Sequence, residues 1–388
     1  MSDNRRPWEN VALADVLQFR EGPGILARDF RDEGVPLLRL AGLKRGASLL
    51  TGCNYLDPAV VEKRWSHFRV VSGDVLLSTS ASLGEVAVVD ESAEGAIPYT
   101  GIIAFRPKSD RILPQFVQFA LTAPAFKRQI EAMGVGSVMR HFGPTHLKRM
   151  TIELPAISDQ EAIAGILGAL DDKIAVNERL ALAAVELAEA HFAAATTLES
   201  RSVSVGDVAL FHNRLRIPLS SKQRSEMPGR YPYYGANGIV DHVADFIFDG
   251  DYVLVGEDGT VVKDSGAPVV QDVHGRFWVN NHAHVLTGNS VSNEILLLAL
   301  KLADVKPLVT GAVQPKLSMG NLKKLLLVLP TEGVTSQLES QLREIFELVQ
   351  WKRAENRALG ELRDALLPGL MSGAIQVRDA ENAVEEAK

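Results

Sequence analysis

The sequence predicts an α+β fold in which two globular mixed α/β domains alternate with two long helices that pack as an antiparallel coiled coil. Three observations predict it. The chain repeats internally, each copy opens with short β-rich runs separated by glycine-containing turns, and each copy closes with an apolar pattern at steps of seven residues. A chain of 388 residues has room for two or three domains. We place the segments at 1–157 (first domain), 158–199 (first helix), 200–331 (second domain), 332–373 (second helix) and 374–388 (acidic flexible tail).

The internal repeat is visible in two pairs of matching segments. Gly136–Pro155 (GSVMRHFGPTHLKRMTIELP) and Gly311–Pro330 (GAVQPKLSMGNLKKLLLVLP) share six of twenty residues at an offset of 175. Upstream, VALADVLQF from Val11 resembles VSVGDVALF from Val203 at an offset of 192. Two similar halves in head-to-tail order give a pseudo-two-fold repeat if the helices run antiparallel.

Runs rich in β-branched residues predict strands in both domains, and longer runs without turn residues predict helices. The predicted strands are Val75–Leu77, Val86–Val89, Tyr252–Val255 and Val261–Val262, and the predicted helices are Pro114–Met133 and Asn293–Lys301.

Apolar rows along both long helices indicate a coiled-coil seam. Asn177 and Lys352 occupy equivalent positions in these rows, at the same offset of 175. A polar seam residue can fix register and partner choice, or it can be tolerated near a solvated edge, and the sequence leaves both interpretations open. The seam residues that we expect to contact the other helix or a partner are Ile163, Leu167, Leu170, Ile174, Asn177, Leu338, Leu342, Ile345, Val349 and Lys352.

Motifs that carry catalytic chemistry are missing from the sequence. It has no GxxxxGK[ST] phosphate loop, no GxSxG elbow and no Asn/Asp-Pro-Pro-aromatic run. A nuclease-like Asp-x-Lys at 171–173 falls inside the predicted first helix. The single cysteine, Cys53, excludes an internal disulfide and a multi-cysteine zinc site, and it fits a reducing cytosol. We therefore predict that this chain is not an enzyme and holds no catalytic residue and no metal.

One rival hypothesis is a metal-dependent hydrolase or nuclease. On a strand, His282 and His284 would point the same way and could hold a metal, and Glu257, Asp258 and Gly259 could form an acidic loop. No third ligand follows at a convincing spacing. A structural histidine pair and a tight turn are the favoured interpretations.

Membrane segments are not predicted. The longest apolar stretches, near 295–302 and 325–330, are far shorter than the ~20 residues that a spanning helix needs. We expect a soluble, cytoplasmic protein.

Five stretches resemble one protein family. They are LPAISDQEAIAGILGALDDKIAVNERL (Leu154–Leu180), YPYYGANGIVDHVADFIFDGDYVLVGEDG (Tyr231–Gly259), FWVNNHAHVL (Phe277–Leu286), GDVLLSTSASLGEVAVV (Gly73–Val89) and LRDALLPGLMSG (Leu362–Gly373). Together they resemble the specificity subunit of type I restriction–modification enzymes over nearly the whole chain. The second copy departs from the family in reading TEGVTSQ after its Leu-Pro.

The resemblance implies a DNA-recognition subunit without an active site. Each domain would be a target-recognition domain that reads one half of a bipartite, asymmetric site, and the helices would set the half-site spacing. The implied partners are double-stranded DNA, two modification (methyltransferase) subunits and, in the full complex, restriction (translocase/nuclease) subunits. No cofactor is expected on this chain, because S-adenosylmethionine belongs to the methyltransferase subunits and ATP and Mg belong to the restriction subunits.

Two other functions stay open. The chain could be the specificity subunit of a related two-subunit restriction system, which the neighbouring genes would decide. It could also be a coiled-coil scaffold whose domains bind protein without DNA specificity, and a gel shift with the partner methyltransferase would separate this case.

Candidate DNA contacts are basic, amide, hydroxyl and aromatic side chains in the two domains. In the first domain they are Lys63, Arg64, Trp65, His67, Arg69, Thr79, Ser80, Ser82, Arg140, His141 and Lys148. In the second domain they are Arg214, Arg216, Lys222, Arg230, Tyr233, Tyr234, Asn237 and Lys316. The tyrosines could instead belong to the core.

The formal net charge of −7 argues against DNA binding only when it is taken over the whole chain. By region, residues 1–155 and 201–330 carry +2 and +1, whereas 156–200 and 331–388 carry −6 and −4. We therefore expect DNA on the two domains and not on the helices, and we expect bound methyltransferase subunits to supply much of the non-specific attraction to phosphate.

Overall fold

Two mixed domains that share most of their strand order alternate with two long helices along the chain. The computed structural model describes residues 8–44, 46–80, 83–133, 142–311 and 314–386. The chain divides into one unit made of residues 1–177 and 354–388 and a second unit made of residues 178–353. Each unit therefore holds one domain and part of both long helices.

The first domain is built from two four-stranded sheets and a two-stranded ribbon. Its strands are β1 Glu9–Ala12, β2 Leu17–Glu21, β3 Phe30–Arg31, β4 Val35–Leu38, β5 Asn54–Leu56, β6 Val75–Ser78, β7 Val86–Val88, β8 Ile97–Pro98, β9 Ile102–Pro107 and β10 Thr151–Leu154. Its helices are α1 Leu13–Val16, α2 Pro58–Arg64, α3 Pro114–Thr122, α4 Pro124–Met133 and α5 Pro144–Leu147. The first long helix, α6, follows at Ile157–Leu198.

The second domain repeats this plan. Its strands are β11 Ser200–Ser204, β12 Ala209–Phe211, β13 Pro228–Gly235, β14 Gly238–Val243, β15 Phe248–Asp249, β16 Tyr252–Gly256, β17 Val270–Val273, β18 Arg276–Val279, β19 Ala283–Gly288 and β20 Leu326–Pro330. Its helices are α7 Val205–Val208, α8 Ser221–Glu226, α9 Asn293–Leu302 and α10 Met319–Lys324. The second long helix, α11, spans Glu332–Met371, and α12 spans Val377–Glu386.

The internal repeat predicted from the sequence is present in the strand order. The first antiparallel sheet has the order β2-β9-β6-β7 in one domain and β12-β19-β16-β17 in the other. The ribbon β1–β10 corresponds to β11–β20. The second sheets share three strands, β5-β4-β8 and β14-β13-β18, each with one parallel pair. The fourth strand differs, because β3 pairs with β5 whereas β15 pairs with β18 on the opposite edge.

The first sheet of each domain is covered on both faces. In the first domain Leu77 and Phe105 pack with Phe116 of α3, whereas Leu76 on the opposite face joins Leu38 of the second sheet. In the second domain the strand β16 alternates in the same way, with Val253 and Val255 towards α9 and Leu254 towards β18. Alternation along a strand places successive side chains on opposite faces, which explains these two-sided cores.

The long helices run antiparallel within each unit. In the first unit Asp171 of α6 accepts a hydrogen bond from Arg363 of α11. Three residues later in α6, the Ile174 carbonyl accepts a hydrogen bond from Asn356, which lies seven residues before Arg363, so the two helices run in opposite directions. Leu167 and Leu170 share a buried cluster with Leu366 and Leu370. In the second unit Phe192 packs with Leu338 and Leu342. The pairing confirms the predicted antiparallel coiled coil.

The predicted seam residues lie where the two helices meet. All are buried except Ile174 and Ile345, which are half-buried. Asn177 is fully buried, and its Nδ2 donates to carboxylate and amide oxygens of Glu355 and Asn356 at 2.9 Å each. Lys352 is 7% exposed, and its Nζ lies 3.9 Å from the centre of the Trp351 ring. Neither polar residue therefore sits at a solvated edge.

Two predicted elements differ in the structure. The helix predicted at Pro114–Met133 is broken into α3 and α4, because Ala123 is extended (φ −57°, ψ 142°) before Pro124, which disfavours helical backbone in the residue that precedes it. The strand predicted at Val261–Val262 is a single β-bridge from Val262 to Pro268. Other predicted strands and helices agree within one or two residues.

The tail predicted as flexible contains a helix. In α12, Ala380 is fully buried in the core of the first unit, and its backbone N–H bonds to the Gln376 carbonyl at 3.1 Å. The apolar positions Ile375 and Val377 pack against the same core. The many acidic residues of this segment led to the prediction of a flexible tail, although α12 has an apolar face. Among the helices of the described residues, none has both the length and the apolarity to cross a membrane.

Candidate DNA interface

The basic cluster of the first domain forms at the end of α2 and in the 3₁₀ turn Ser66–Phe68 that follows it. The Asp57 carboxylate caps α2, and a proline fills the first helical position, so the helix starts at a defined residue. Lys63 and Arg64 lie in the last turn, where the helix dipole favours positive charge. Their side chains and that of His67 are exposed. These three basic side chains face solvent.

Two members of the predicted cluster point inward instead. Trp65 is 8% exposed and belongs to a core cluster, while the Arg64 guanidinium lies 4.8 Å from its ring centre. Arg69 donates to the Gly95 carbonyl at 2.7 Å and lies 3.9 Å from the Glu62 carboxylate. The prediction that Trp65 contacts DNA is wrong, because its side chain is buried in a core cluster of the domain.

The predicted polar turn after β6 is only partly at the surface. Thr79 is fully buried, and its backbone N–H bonds to the Gly101 carbonyl at 2.8 Å, so its side chain is not a base reader. Ser80 is half-buried and packs beside Gly101. Lys148 is exposed just after α5. The remaining candidates, Ser82, Arg140 and His141, lie outside the described residues.

Three polar residues of the first sheet were missed by the sequence analysis. Gln18 and Arg20 are exposed on β2, on either side of Phe19, and Gln18 pairs with Arg106 of β9 in the sheet register. The Arg106 Nε and Nη2 each donate to the Asp74 carboxylate at 2.6 Å. The hydrogen bond to Asp74 raises the pKa of Arg106 against the effect of burial. The polar–aromatic–polar alternation of β2 was the available signal.

In the second domain, Arg216 is a structural residue and not a DNA contact. Its Nη1 donates to Glu257 and to the Ala283 carbonyl, both at 2.8 Å, and its side chain is only 14% exposed. The predicted DNA contact at Arg216 is therefore wrong. Lys316 is half exposed and pairs with Asp258 at 3.0 Å, and this hydrogen bond raises the pKa of Lys316.

The histidine pair of the second domain has two different environments. His284 is fully buried, with Nε2 2.7 Å from the Leu317 carbonyl and Nδ1 2.9 Å from the Asn213 amide, and burial lowers its pKa. His282 is exposed, with Nδ1 3.5 Å from Asp258. Within the described ranges, no group of three His, Cys, Asp or Glu residues is arranged to hold a metal ion.

A basic–aromatic cluster lies on the surface of the second domain. The Arg230 guanidinium is 5.1 Å from the Tyr231 ring centre, and that ring packs 5.1 Å from Phe246. Arg276, which the sequence analysis missed, lies 4.8 Å from the Phe246 ring centre and pairs with Asp249 at 3.0 Å. Hydrogen bonds from Arg230 and then Arg276 lower the pKa of Tyr231. Register brings these residues together from β13 and β18.

The neighbouring tyrosines are part of the fold. Tyr233 is 1% exposed, and its hydroxyl accepts a hydrogen bond from the Leu219 N–H at 2.9 Å, so the predicted DNA contact at Tyr233 is wrong. Tyr234 is half-buried and packs edge-on against Phe277. The other candidates of this domain, Arg214, Lys222 and Asn237, have exposed side chains.

Comparison with known proteins gives one consistent result. The family model described as "Type I restriction modification DNA specificity domain" matches residues 5–186 and again 198–337. The two matches follow the internal repeat. Together they cover most of the chain.

Individual relatives carry the same description. The MjaIX specificity subunit of a type I restriction enzyme from Methanocaldococcus jannaschii is 22% identical over 343 residues, which is 79% of this chain and 78% of that protein. A Haemophilus influenzae protein, named as a type I restriction enzyme specificity subunit, is 32% identical over 133 residues, and the match covers only 34% of its length.

Among solved structures, the S subunit of a type I restriction–modification system from M. genitalium matches with a TM-score of 0.56. Its sequence identity is 16%, and the match covers 95% of this chain and 97% of that one. At this identity the likeness concerns the fold alone.

Proposed function

Because the chain belongs to the family of type I restriction–modification DNA specificity proteins, we propose that it selects the DNA sequence on which such a complex acts. Each domain reads one half of a bipartite, asymmetric site. The partners are double-stranded DNA, two methyltransferase subunits and, in the complete complex, restriction subunits.

One observation carries this proposal: the two domains share most of their strand order but differ in exposed side chains. The first offers Lys63, Arg64 and His67 at the end of a helix, and the second offers Arg230 and Arg276 beside aromatic rings. A common scaffold sets a common docking geometry, while base-edge contacts depend on the side chains. Two related domains with different surfaces suit two different half-sites.

The long helices are proposed to join the two readers and to dock the methyltransferase subunits. Their antiparallel pairing within each unit supports a repeated arrangement in which similar surfaces are presented twice. The chain is proposed to hold no active site, so that S-adenosylmethionine acts on the methyltransferase subunits and ATP with Mg acts on the restriction subunits.

Methylation mapping tests the proposal. The full chain is expressed with its methyltransferase subunits in a host without other methylation, and modified bases are located by single-molecule sequencing. We expect one motif with two defined halves and a fixed gap. Replacement of the second domain by that of a relative should change one half and leave the other intact. A continuous motif, or a change in both halves, would contradict the assignment.

A further inference from the structure

We infer that a cleft on the first domain, lined by Gln18, Arg20, His67, Arg69 and Arg106, binds a phosphate of the DNA backbone, and that the second domain has no equivalent site. The inference rests on the proposed function, because it takes DNA as the ligand. It adds a difference in how the two half-sites are held.

The cleft lies between the first sheet and the 3₁₀ turn Ser66–Phe68. Antiparallel pairing sets Gln18 opposite Arg106 and Arg20 opposite Ala104, so these side chains share one face of the sheet. The turn supplies His67 and Phe68 on the other side. The volume of the open cleft is about 160 Å³. A cavity of about 150 Å³ accepts a benzene ring, so a phosphate group fits.

A rigid polar frame forms the floor of this cleft. Asp74 is 3% exposed, receives two hydrogen bonds from Arg106 and accepts a third from the Val71 N–H at 2.9 Å. Arg69 is fixed by its bond to the Gly95 carbonyl. Both guanidinium groups therefore hold their positions before any ligand arrives. A preorganised arginine loses little side-chain entropy when it binds an anion.

Arg20 supplies the cation that is available to a ligand. Its side chain is exposed, and among the described residues no hydrogen bond or ion pair engages it. The guanidinium lies 5.6 Å from the centre of the Phe68 ring, which restricts its direction. Four basic side chains and one buried carboxylate thus line the cleft, and the Glu62 carboxylate lies 3.9 Å from Arg69. Arginine groups of this kind match the geometry of phosphate oxygens.

The three equivalent strand positions in the described part of the second domain carry no arginine. The offset of 192 between β2 and β12 matches Gln18 with Leu210 and Arg20 with His212. In the neighbouring strands, Arg106 pairs with Gln18 and Thr287 pairs with Leu210, so Thr287 stands in the place of Arg106. His212 Nε2 lies 2.9 Å from the Thr287 hydroxyl, and the His212 ring packs edge-on against Tyr252. Burial lowers the pKa of His212, which favours its neutral form. The second half-site must therefore be held by other groups.

The test compares Arg20→Ala with the matched change His212→Ala in the full complex with its methyltransferase subunits. Binding to cognate and random DNA is measured from 50 to 200 mM salt. The loss of one phosphate contact reduces the slope of log binding constant against log salt concentration by about 0.9. The affinity of the variant should therefore fall about three- to fourfold less than that of the native protein between 50 and 200 mM salt. We expect Arg20→Ala to show this smaller slope on both cognate and random DNA. Arg20→Lys should keep most of the native slope, and His212→Ala should leave the slope unchanged.

Two results would overturn the inference. One is an unchanged slope in Arg20→Ala, and the other is altered base preference at one position of the methylation motif, which would make Arg20 a base reader. A scan in which each phosphate of the first half-site is replaced by a neutral methylphosphonate adds an independent readout. Replacement at one position should weaken DNA binding by the native protein but not by Arg20→Ala. Binding without preference for any bipartite sequence would instead refute the proposed function, while the salt slopes could still be compared.

Discussion

His274 should couple the stability of the second unit to pH. The residue follows β17, and its ring nitrogens lie 2.8 Å from Asp251 and 2.8 Å from Asp272. Gln350 of α11 contacts the same ring at 3.1 Å, and Arg353 of α11 lies 3.7 Å from Asp272. These contacts connect a strand of the recognition domain to the long helix of the same unit.

The sign of the effect follows from the pKa. Burial lowers the pKa of His274, but hydrogen bonds and charge from Asp272 and then Asp251 outweigh it and raise the pKa overall. A group with a raised pKa in the folded state contributes its full stabilisation below its unfolded pKa, about 6.5, and loses it as pH rises through the folded value. The contact should therefore contribute most below about pH 6.5 and weaken as the pH rises through the raised pKa of folded His274.

Its size can be estimated from the two partners. The Asp251 side chain is 61% exposed, so that ion pair contributes about 0–1 kcal/mol. The Asp272 side chain is 18% exposed, and a charged hydrogen bond there contributes about 1.5–3 kcal/mol. We expect His274→Gln to destabilise the local structure by about 2–3 kcal/mol at pH 6 and by clearly less at pH 8.

Hydrogen exchange read by mass spectrometry is the appropriate assay, because a chain with two units need not unfold in one step. Protection is followed for peptides covering 270–278 and the 343–353 part of α11 at both pH values. His282→Gln is the matched control, since that ring is exposed and its Nδ1 lies 3.5 Å from the Asp258 carboxylate, beyond a strong hydrogen bond. Equal loss of protection at pH 6 and pH 8, or the same loss in the control, would refute the reasoning.

Three further outcomes follow from the structure. Arg216→Ala should lower the thermal midpoint, because it removes the hydrogen bonds from Arg216 to the half-buried Glu257 carboxylate and to the Ala283 carbonyl, a loss of about 1.5–3 kcal/mol, while Lys316 stays 3.5 Å from Glu257; a normal melt with weaker DNA binding would restore Arg216 as a DNA contact. Ala380→Asp should expose the core of the first unit to protease, whereas Asp379→Ala at the surface should not. Matched heptad insertions in α6 and α11 should change the gap of the methylation motif, and an unchanged gap would count against a spacer role.

Local periodicity made much of the fold predictable. A constant offset of 175 carried the repeat from β10 and β20 into the long helices, and the buried seam followed from steps of seven residues. The helix α12 was not predicted, because the acidic composition of the tail indicated a flexible segment. Ala380 is one small residue among acidic neighbours, yet it is fully buried.

The site was less predictable because exposure depends on partners that are distant in sequence. Arg216 is sequestered by Glu257, 41 residues away, and Arg106 is held by Asp74, 32 residues away. Nothing near Arg216 or Arg106 in the sequence indicates these carboxylates. Gln18 and Arg20 alternate with Phe19 in the sequence, but only the register of β2 and β9 shows that they share a face with Arg106.

Trp8 and Gly373 are neighbours in the first unit, since a Cβ built on Gly373 would lie 3.5 Å from the Trp8 indole nitrogen. Strand β1 and helix α12 thus complete one core from opposite directions of the chain. The first and last described elements of the chain therefore share one core, and a circular permutant whose new linker follows α12 should retain the contacts of that core. Deletion of α12 should weaken the packing of Trp8 and of strand β1 against the core of the first unit.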